Sequence, residues 1–306
     1  MYSLFVSSRR TSSTMEATQV ERNPWNRRVA GVTTATLIIF MGFIIDFAVN
    51  STSIVPSWLI TIPITAGSQP PQYPVGIPDK AAASGMGPPA PSAMPGFKMT
   101  YSTSFPGSKV PNGWIIYHGA PTNDPGAQFG SAHVVVSGGL LRLNTWRDPN
   151  YQNRWVTGGL CHCGMPQTYG AYFVRSRVTG GGASDVQLLW PSSNKWPPEI
   201  DFNETGGRIN STSATVHFGP TNQIEQNELR LNMLKWHTWG VIWSPMSIIY
   251  TVDGVAWATV LNGSAQIPNV PMHLAIQQQT WCLEGRLCPS APVSMLVNWV
   301  VEYQAT

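Results

Sequence analysis

The sequence predicts an all-β sandwich of two antiparallel sheets for most of the chain after residue 100. The 306 residues include 28 Gly, 26 Pro and 13 Trp, which suits a turn-rich and aromatic-rich β protein better than a helical one. Short alternating runs, such as Leu141-Arg142-Leu143 and residues 172–178, are separated by Gly, Asn and Pro. Such runs are typical of strands, and a series of them without a long helical stripe favours a sandwich.

The N-terminus predicts a membrane anchor. Residues 1–28 are polar and carry five arginines, and residues 29–49 form an apolar run whose one acid is Asp46. A helix of about 20 residues spans the ~30 Å hydrocarbon core of a bilayer, and the preceding arginines favour a cytoplasmic N-terminus. We expect an uncleaved anchor rather than a secretory signal, because no clean cleavage site follows the run. An anchor would hold the rest of the chain at the extracellular face of the membrane, and a cleaved signal would release it outside the cell.

A linker is predicted next, over residues 50–98. Residues 54–64 are apolar but are interrupted by Pro56 and Pro63, which remove backbone donors and disfavour a second membrane span. We expect this stretch to rest at the membrane surface. Residues 66–96 are rich in Pro, Gly, Ala and Ser, the composition of an extended, disordered linker. The folded domain is therefore assigned to residues 99–306.

Four cysteines form two close pairs, Cys161/Cys163 and Cys282/Cys288. Outside the membrane we expect two disulfides, for which three connectivities are open. Cys161 and Cys163 share one face of a strand, so links from each of them to the second pair fit the pattern. A zinc site that uses His162 is the alternative, but a near-adjacent Cys-His-Cys gives poor tetrahedral geometry. We therefore predict no metal at this motif.

The most informative segment is residues 199–204, which places three carboxylates within six residues of a chain that is only 11% charged. In a regular strand Glu199 and Asp201 share a face, whereas Glu204 points the other way. One extra residue at a β-bulge would return Glu204 to the face of Glu199. Crowded acids have separated pKa values, which lets a carboxylate nucleophile and a protonated acid coexist. The alternatives are a solvated strand face or a calcium site, although calcium prefers oxygen ligands from several loops.

The motif Glu199-x-Asp201-x-x-Glu204, with tryptophans just upstream, resembles the active-site strand of glycoside hydrolase family 16 in its bulged, laminarinase-like form. Other segments over roughly residues 101–306 are similar to further strands of that family: residues 105–114, 134–143, 157–160, 168–177, 185–191, 216–219, 236–243 and 249–254. The chain differs from the family pattern at Pro198 and Asn203, where Gly and an apolar residue are usual. The resemblance implies a jelly-roll, concanavalin A-like sandwich and a catalytic domain over residues 99–306.

The resemblance also implies an endo-acting, retaining hydrolase of a β-linked polysaccharide, with β-1,3- or mixed β-1,3-1,4-glucan as the expected substrate. It assigns Glu199 as the nucleophile, Glu204 as the general acid/base and Asp201 as an assistant beside the nucleophile. A retaining reaction needs the two main carboxyl groups about 5–5.5 Å apart. No organic cofactor is required. A structural calcium ion occurs in the family, although no residues here map onto its site.

Six further residues are candidates for binding the sugar chain. Sugar rings have apolar faces that lie on aromatic rings, and their polar edges need hydrogen-bonding partners. The candidates are Trp190, Trp196, His217, Gln277, Gln279 and Trp281. Alternation along a strand puts Gln277, Gln279 and Trp281 on one side. Trp239, Trp243 and Trp299 alternate with apolar residues and are expected in the core.

Two other functions fit the same residues. A transglycosylase would share the first chemical step, with a sugar hydroxyl in place of water in the second. A membrane-anchored carbohydrate-binding domain without turnover would use the same cleft, but gives no reason for an intact set of three acids. The net charge of +3 gives no support for nucleic-acid binding. We expect a monomer whose partners are the polysaccharide and the membrane.

Overall fold

The computed structural model describes residues 72–121, 126–282 and 287–306. The predicted basic N-terminus (residues 1–28), the predicted anchor (residues 29–49) and the first part of the predicted linker (residues 50–71) lie outside these ranges. Within the described ranges, no helix has both the length and the apolar character needed to cross a membrane.

Strands dominate the described residues, and the predicted all-β class is confirmed. In chain order the strands are β1 Ile77–Pro78, β2 Met86–Gly87, β3 Phe97–Thr103, β4 Ile115–Ile116, β5 Val134–Ser137, β6 Leu140–Asp148, β7 Arg154–Val156, β8 Gly159–Cys161, β9 Gly170–Val178, β10 Ser184–Pro191, β11 Glu199–Glu204, β12 Ser211–Phe218, β13 Gln223–Arg230, β14 His237–Trp243, β15 Ser247–Val252, β16 Val255–Leu261, β17 Met272–Gln279 and β18 Val293–Ala305. Short 3-10 helices span Pro91–Ala93, Ser131–His133 and Pro149–Tyr151.

Two large antiparallel sheets make up the sandwich. The cleft sheet has the strand order β13-β12-β11-β10-β17-β8-β4, and the back sheet has the order β16-β15-β14-β9-β18-β6-β5. Strand β3 extends the back sheet by pairing with β18, and β7 pairs with β6. The acid-rich strand β11 therefore lies inside the cleft sheet, between its sequence neighbours β10 and β12.

The main core fills the space between the two sheets. Strand β11 contributes Ile200 and Phe202 to it, while the back sheet contributes Tyr172, Trp239 and Trp243. All five side chains are at most 1% exposed. Because alternate residues of a strand face opposite sides, burial of Ile200 and Phe202 turns Glu199 and Asp201 to the outer face of the cleft sheet.

The outer face of the back sheet is also buried, under residues 72–96, here called the covering segment. Met94 of this segment packs in a second apolar cluster with Phe173, Trp299 and Tyr303. The Trp299 indole Nε1 donates a hydrogen bond of 3.1 Å to the Met86 carbonyl. The structure thus differs from the predicted linker over residues 72–98. Its Pro/Gly/Ala/Ser composition resembles that of a linker, yet side chains of the back sheet satisfy its backbone groups.

Polar contacts tie the covering segment down at its centre. The Arg175 Nε donates to Ser84 Oγ at 2.8 Å, and Ser84 Oγ donates to Asn298 Oδ1 at 2.6 Å. The Thr238 hydroxyl donates to the Val75 carbonyl at 2.9 Å. These partners are separated from the segment by 91 or more residues of sequence, so only the folded sheet can bring them together.

Each cysteine bonds to its near neighbour in sequence. The disulfides are Cys161–Cys163 and Cys282–Cys288. The prediction of two disulfides is confirmed. The predicted connectivity, with each bond joining one pair to the other, is wrong. His162, considered above as a zinc ligand, points away from Cys161 and Cys163 into the protein, where its Nδ1 lies 2.7 Å from Glu302 Oε1.

Candidate active site

A β-bulge brings the three acids of β11 to one surface, as the sequence predicted. Asp201 lies opposite Thr215 of β12 and Glu204 lies opposite Ser213, with a register shift between them. The chain thus advances three residues on β11 while it advances two on β12. Phe202 is in the main core, and its neighbour Asn203 is 1% exposed. Since two consecutive side chains are buried, the following Glu204 returns to the outer face.

The outer face of the cleft sheet forms an open cleft of about 830 Å³. All nine residues predicted to act on or bind substrate line it: Trp190, Trp196, Glu199, Asp201, Glu204, His217, Gln277, Gln279 and Trp281. They come from β10, β11, β12 and β17 and from the turns beside them. The structure thus brings the predicted residues together at one site, while their individual roles stay predictions.

The carboxylate of Glu199 accepts a hydrogen bond from the Trp196 side chain. The indole Nε1 of Trp196 donates a hydrogen bond of 2.7 Å to Glu199 Oε2. Trp196 lies in the connection between β10 and β11, where the peptide bonds Trp196–Pro197 and Pro197–Pro198 are both cis. Trp196 was predicted as a sugar-binding surface, and in addition it fixes the position of the first acid.

Asp201 belongs to a chain of polar contacts that ends at Asn222. The Nε2 of His217 lies 3.3 Å from Asp201 Oδ2, and its Nδ1 lies 2.8 Å from Asn222 Oδ1. An amide oxygen can only accept, so the Nδ1 of His217 carries a proton that it donates to Asn222. The two contacts fix the orientation of the His217 ring towards the acids. In the register of β11 with β12, His217 lies opposite Glu199.

Burial and mutual repulsion shift the titration of these acids. Burial raises the pKa of Glu199 well above its ordinary value, and the charge of Asp201 raises it further. The charge of His217 and the hydrogen bond from Trp196 act in the opposite direction. Burial also raises the pKa of Asp201, with a further contribution from Glu204. Because the pKa values of Glu199 and Asp201 are both raised, this pair keeps a proton at pH values at which isolated carboxyls are ionised.

The other candidate residues frame the acids. The Gln277 Nε2 donates to Gln279 Oε1 at 3.2 Å, so the two amides form one polar strip along β17. The Trp190 indole Nε1 donates to Asn194 Oδ1 at 3.0 Å, and both residues line the cleft. Trp281 follows β17 at the cleft wall.

Several cleft residues were not predicted from the sequence. Tyr117 and His118 enter from the segment after β4, Gln226 from β13 and His273 from β17. Burial lowers the pKa of His273 to about 4, with a smaller contribution from His162. His273 could have been found by alternation, since it shares a strand face with Gln277 and Gln279. Tyr117 and Gln226 carry no such signal.

Among the described residues, two groups of side chains have the geometry to hold a metal ion: Glu199/Asp201/His217 and Cys161/Cys163/His273. The first offers two carboxylates and a nitrogen, and the second offers sulfur and nitrogen. Calcium takes six to eight oxygen ligands, so neither group fits the structural calcium considered above.

Comparison with known proteins identifies the family to which the chain belongs. Residues 128–289 match the model of the glycosyl hydrolases family 16, which is more than half of the chain. An endo-1,3-1,4-beta-glycanase, ExsH, from Rhizobium meliloti (strain 1021) is 33% identical over 97 residues, which cover 30% of this chain and 21% of that protein. The chain thus spans about a fifth of the length of this relative.

Solved structures show the same fold at low identity. The catalytic domain of an endo-1,3-beta-glucanase (laminarinase) from Thermotoga petrophila RKU-1 superposes with a TM-score of 0.61 at 15% identity, over 69% of this chain and 98% of that one. The endo-beta-1,3-glucanase from Pyrococcus furiosus gives a TM-score of 0.59 at 18% identity, over 69% and 95%. At these identities the likeness concerns the fold alone.

Proposed function

We propose that this chain, which belongs to the glycosyl hydrolases family 16, is an endo-acting hydrolase that cleaves β-1,3- or mixed β-1,3-1,4-glucan with retention. The observation that carries the proposal is the bulge in β11, which turns Glu199, Asp201 and Glu204 to one surface of an open cleft. A strand that served only for packing would gain nothing from three clustered acids, because each raises the cost of ionising the others.

In the proposed reaction Glu199 attacks the anomeric carbon and Glu204 protonates the leaving oxygen. A glycosyl ester on Glu199 forms, and Glu204 then removes a proton from the water that hydrolyses it. The Trp196 hydrogen bond and the His217 charge favour the ionised form of Glu199, which is the form that attacks. Asp201 lies between the two glutamates and modulates their ionisation.

The shape of the site and the names of the relatives support an internal cut in a β-glucan. An open cleft admits a chain that continues on both sides of the acids, whereas a closed pocket would take only a chain end. The relatives are named for 1,3-1,4-linked and 1,3-linked β-glucan substrates. The two-sheet arrangement supports a description as the family's jelly-roll, concanavalin A-like sandwich.

We also propose that the enzyme works outside the cell membrane. Disulfides persist in oxidising compartments, and the chain has two of them. The basic segment and apolar run at residues 1–49 have the order expected of an anchor with a cytoplasmic N-terminus.

The first test is release of reducing sugar by the purified full chain from laminarin, mixed-linkage β-glucan, carrageenan and agarose. Glu204→Gln is expected to lower kcat by about 10²–10⁴-fold, the usual contribution of general acid–base catalysis, and Glu199→Gln by at least as much. The exposed Glu228 provides the matched control, and Glu228→Gln should keep full activity. Proton NMR of the first product should show the β anomer, because double displacement retains configuration.

Each result has a definite meaning. Release that is unchanged in Glu199→Gln would rule out this acid as the nucleophile. An initial α anomer would rule out retention. Binding of laminarin by a folded parent with no turnover would favour the carbohydrate-binding module, and larger oligosaccharides formed in place of reducing ends would favour transglycosylation.

A further inference from the structure

A second cavity opens beside the cleft, at the end of the sandwich where β11 begins and β12 ends. Its volume is about 420 Å³, which falls within the roughly 300–1,000 Å³ of typical ligand sites. Trp196 lines both this cavity and the cleft, so the two spaces meet at its side chain. We call this space the end cavity.

The floor of the end cavity is apolar. Phe218 is the last residue of β12, and because His217 before it lines the cleft, alternation turns Phe218 towards the inner side of the sheet. Phe218 and Val270 pack against the main core, yet both stay partly exposed where they line the cavity. The described residues thus leave apolar surface uncovered at this end of the sandwich.

Two hydrogen bonds hold the walls of the end cavity in place. On the side of β17, the indole Nε1 of the buried Trp243 donates 2.9 Å to the carbonyl of Pro268, which lines the cavity. On the side of the cleft, Trp196 is fixed by its bond to Glu199. The cavity is therefore formed before any ligand binds, as ligand sites usually are.

The lining of the end cavity favours a neutral ligand with apolar faces and polar edges. Of the ten described residues that line it, four are prolines and none is charged, so a phosphate or a charged peptide would find no ion pair there. The amides of Gln266 and Asn269 are exposed at the cavity and can both donate and accept hydrogen bonds. Apolar surface for a ring face, together with amides for hydroxyl groups, suits a sugar residue.

We propose that the end cavity is a distal subsite of the cleft, which holds residues of the same glucan chain beyond Trp196. This inference rests on the proposed function, because the cleft holds the part of the chain that is cut. A β-1,3 linkage bends a glucan chain, so a chain that crosses the acids can turn past Trp196 around the strand ends. Contacts in the end cavity add affinity for long chains that short chains lack.

The test compares kcat/KM of the full chain on laminari-oligosaccharides from laminaritriose to laminariheptaose. Asn269→Trp fills the end cavity. It should leave kcat/KM unchanged on the shortest substrate that is cleaved and lower it roughly tenfold on the longest, which corresponds to one or two hydrogen bonds. Asn262→Trp is the matched control, because Asn262 is exposed and lies outside the lining of the cleft and of the end cavity. It should keep the length dependence of the parent.

Binding separates this inference from the proposed reaction. Calorimetry on Glu204→Gln gives the Kd of intact oligosaccharides, and adding Asn269→Trp should weaken binding of laminariheptaose but not of laminaritriose. If the parent releases no sugar, the reaction is refuted, while length-dependent binding that Asn269→Trp abolishes still supports the subsite.

Three results would overturn the subsite. The first is a parent whose kcat/KM and Kd do not depend on chain length. The second is an Asn269→Trp variant that keeps the length dependence or loses the same factor at every length. The third is a change in sedimentation of Asn269→Trp without a change in length dependence, which would assign the cavity to a second copy of the chain.

Discussion

The Nε1 of Trp196 donates a hydrogen bond of 2.7 Å to Oε2 of Glu199, and this contact links the turn before β11 to the first acid of the site. Both residues line the cleft. The donor favours the ionised carboxylate, against the effects of burial and of Asp201. Trp196 therefore combines an aromatic face for a sugar ring with control of the state of Glu199.

Trp196→Phe keeps an aromatic ring but removes the donor. A hydrogen bond to a charged group is worth about 1.5–3 kcal/mol, and the pair is partly exposed, so we take the lower value, which is about tenfold in kcat/KM. The pKa of Glu199 should rise, and the acidic limb of the kcat/KM profile should move to higher pH. Trp190→Phe is the control, since its indole bonds to Asn194 and not to an acid. Equal limb shifts in the two variants would refute this role.

Asp201→Asn and His217→Gln should move the acidic limb in opposite directions. The charge of Asp201 raises the pKa of Glu199 and that of His217 lowers it. Removing Asp201 should shift the limb to lower pH, and removing His217 should shift it to higher pH, although both variants lose kcat. The measurement is the pH of half-maximal kcat/KM on laminarin. Shifts of the same sign would show that the acidic limb is not set by Glu199.

Asp185 should make stability fall as the pH rises. Burial raises the pKa of Asp185 from 3.8 to about 8 in the folded chain, so the folded state holds a proton that the unfolded state releases between these values. Stability from this group is complete below pH 3.8, decreases as the pH rises towards 8 and is lost above it. Asp185→Asn keeps the oxygen that accepts from Gln278 and should flatten this dependence, with a higher melting temperature than the parent at pH 9. The control is Asp79→Asn, which makes the same substitution at an exposed side chain.

Deletion of residues 1–96 should destabilise the domain, because it removes the covering segment. Deletion of residues 1–71 retains that segment and is the control. Loss of the segment exposes Phe173, Trp299 and Tyr303 and leaves the Trp299 indole without its partner. Each kcal/mol lost lowers the melting temperature of a domain of this size by about 2–4 °C. Calorimetry and binding of an apolar dye compare the two deletions. Equal melting temperatures would show that the contacts of the segment contribute nothing.

The sequence by itself determined the strand-rich class and the position of the acids, and the resemblance of the motif to a known family implied the bulge. These features are local, because the period of two in a strand and the spacing of Glu199, Asp201 and Glu204 can be read without knowledge of neighbouring strands. The prediction of a disordered linker over residues 72–98 was wrong because it also rested on a local feature, the composition. Their composition is that of a linker, and their order depends on Arg175, Asn298 and other partners far away in sequence.

Only the tertiary structure decided which distant residues meet the acids and the cysteines. The register of β11 with β12 places His217 opposite Glu199, from where it reaches Asp201. The register of β17 with β8 brings His273 to Cys163. A shift of one residue would turn each side chain to the other face of the sheet. Register is set by the whole core and by turn geometry. Local alternation gives the strand face of His273, but no local pattern around His273 or Asn222 shows which distant residue each one meets.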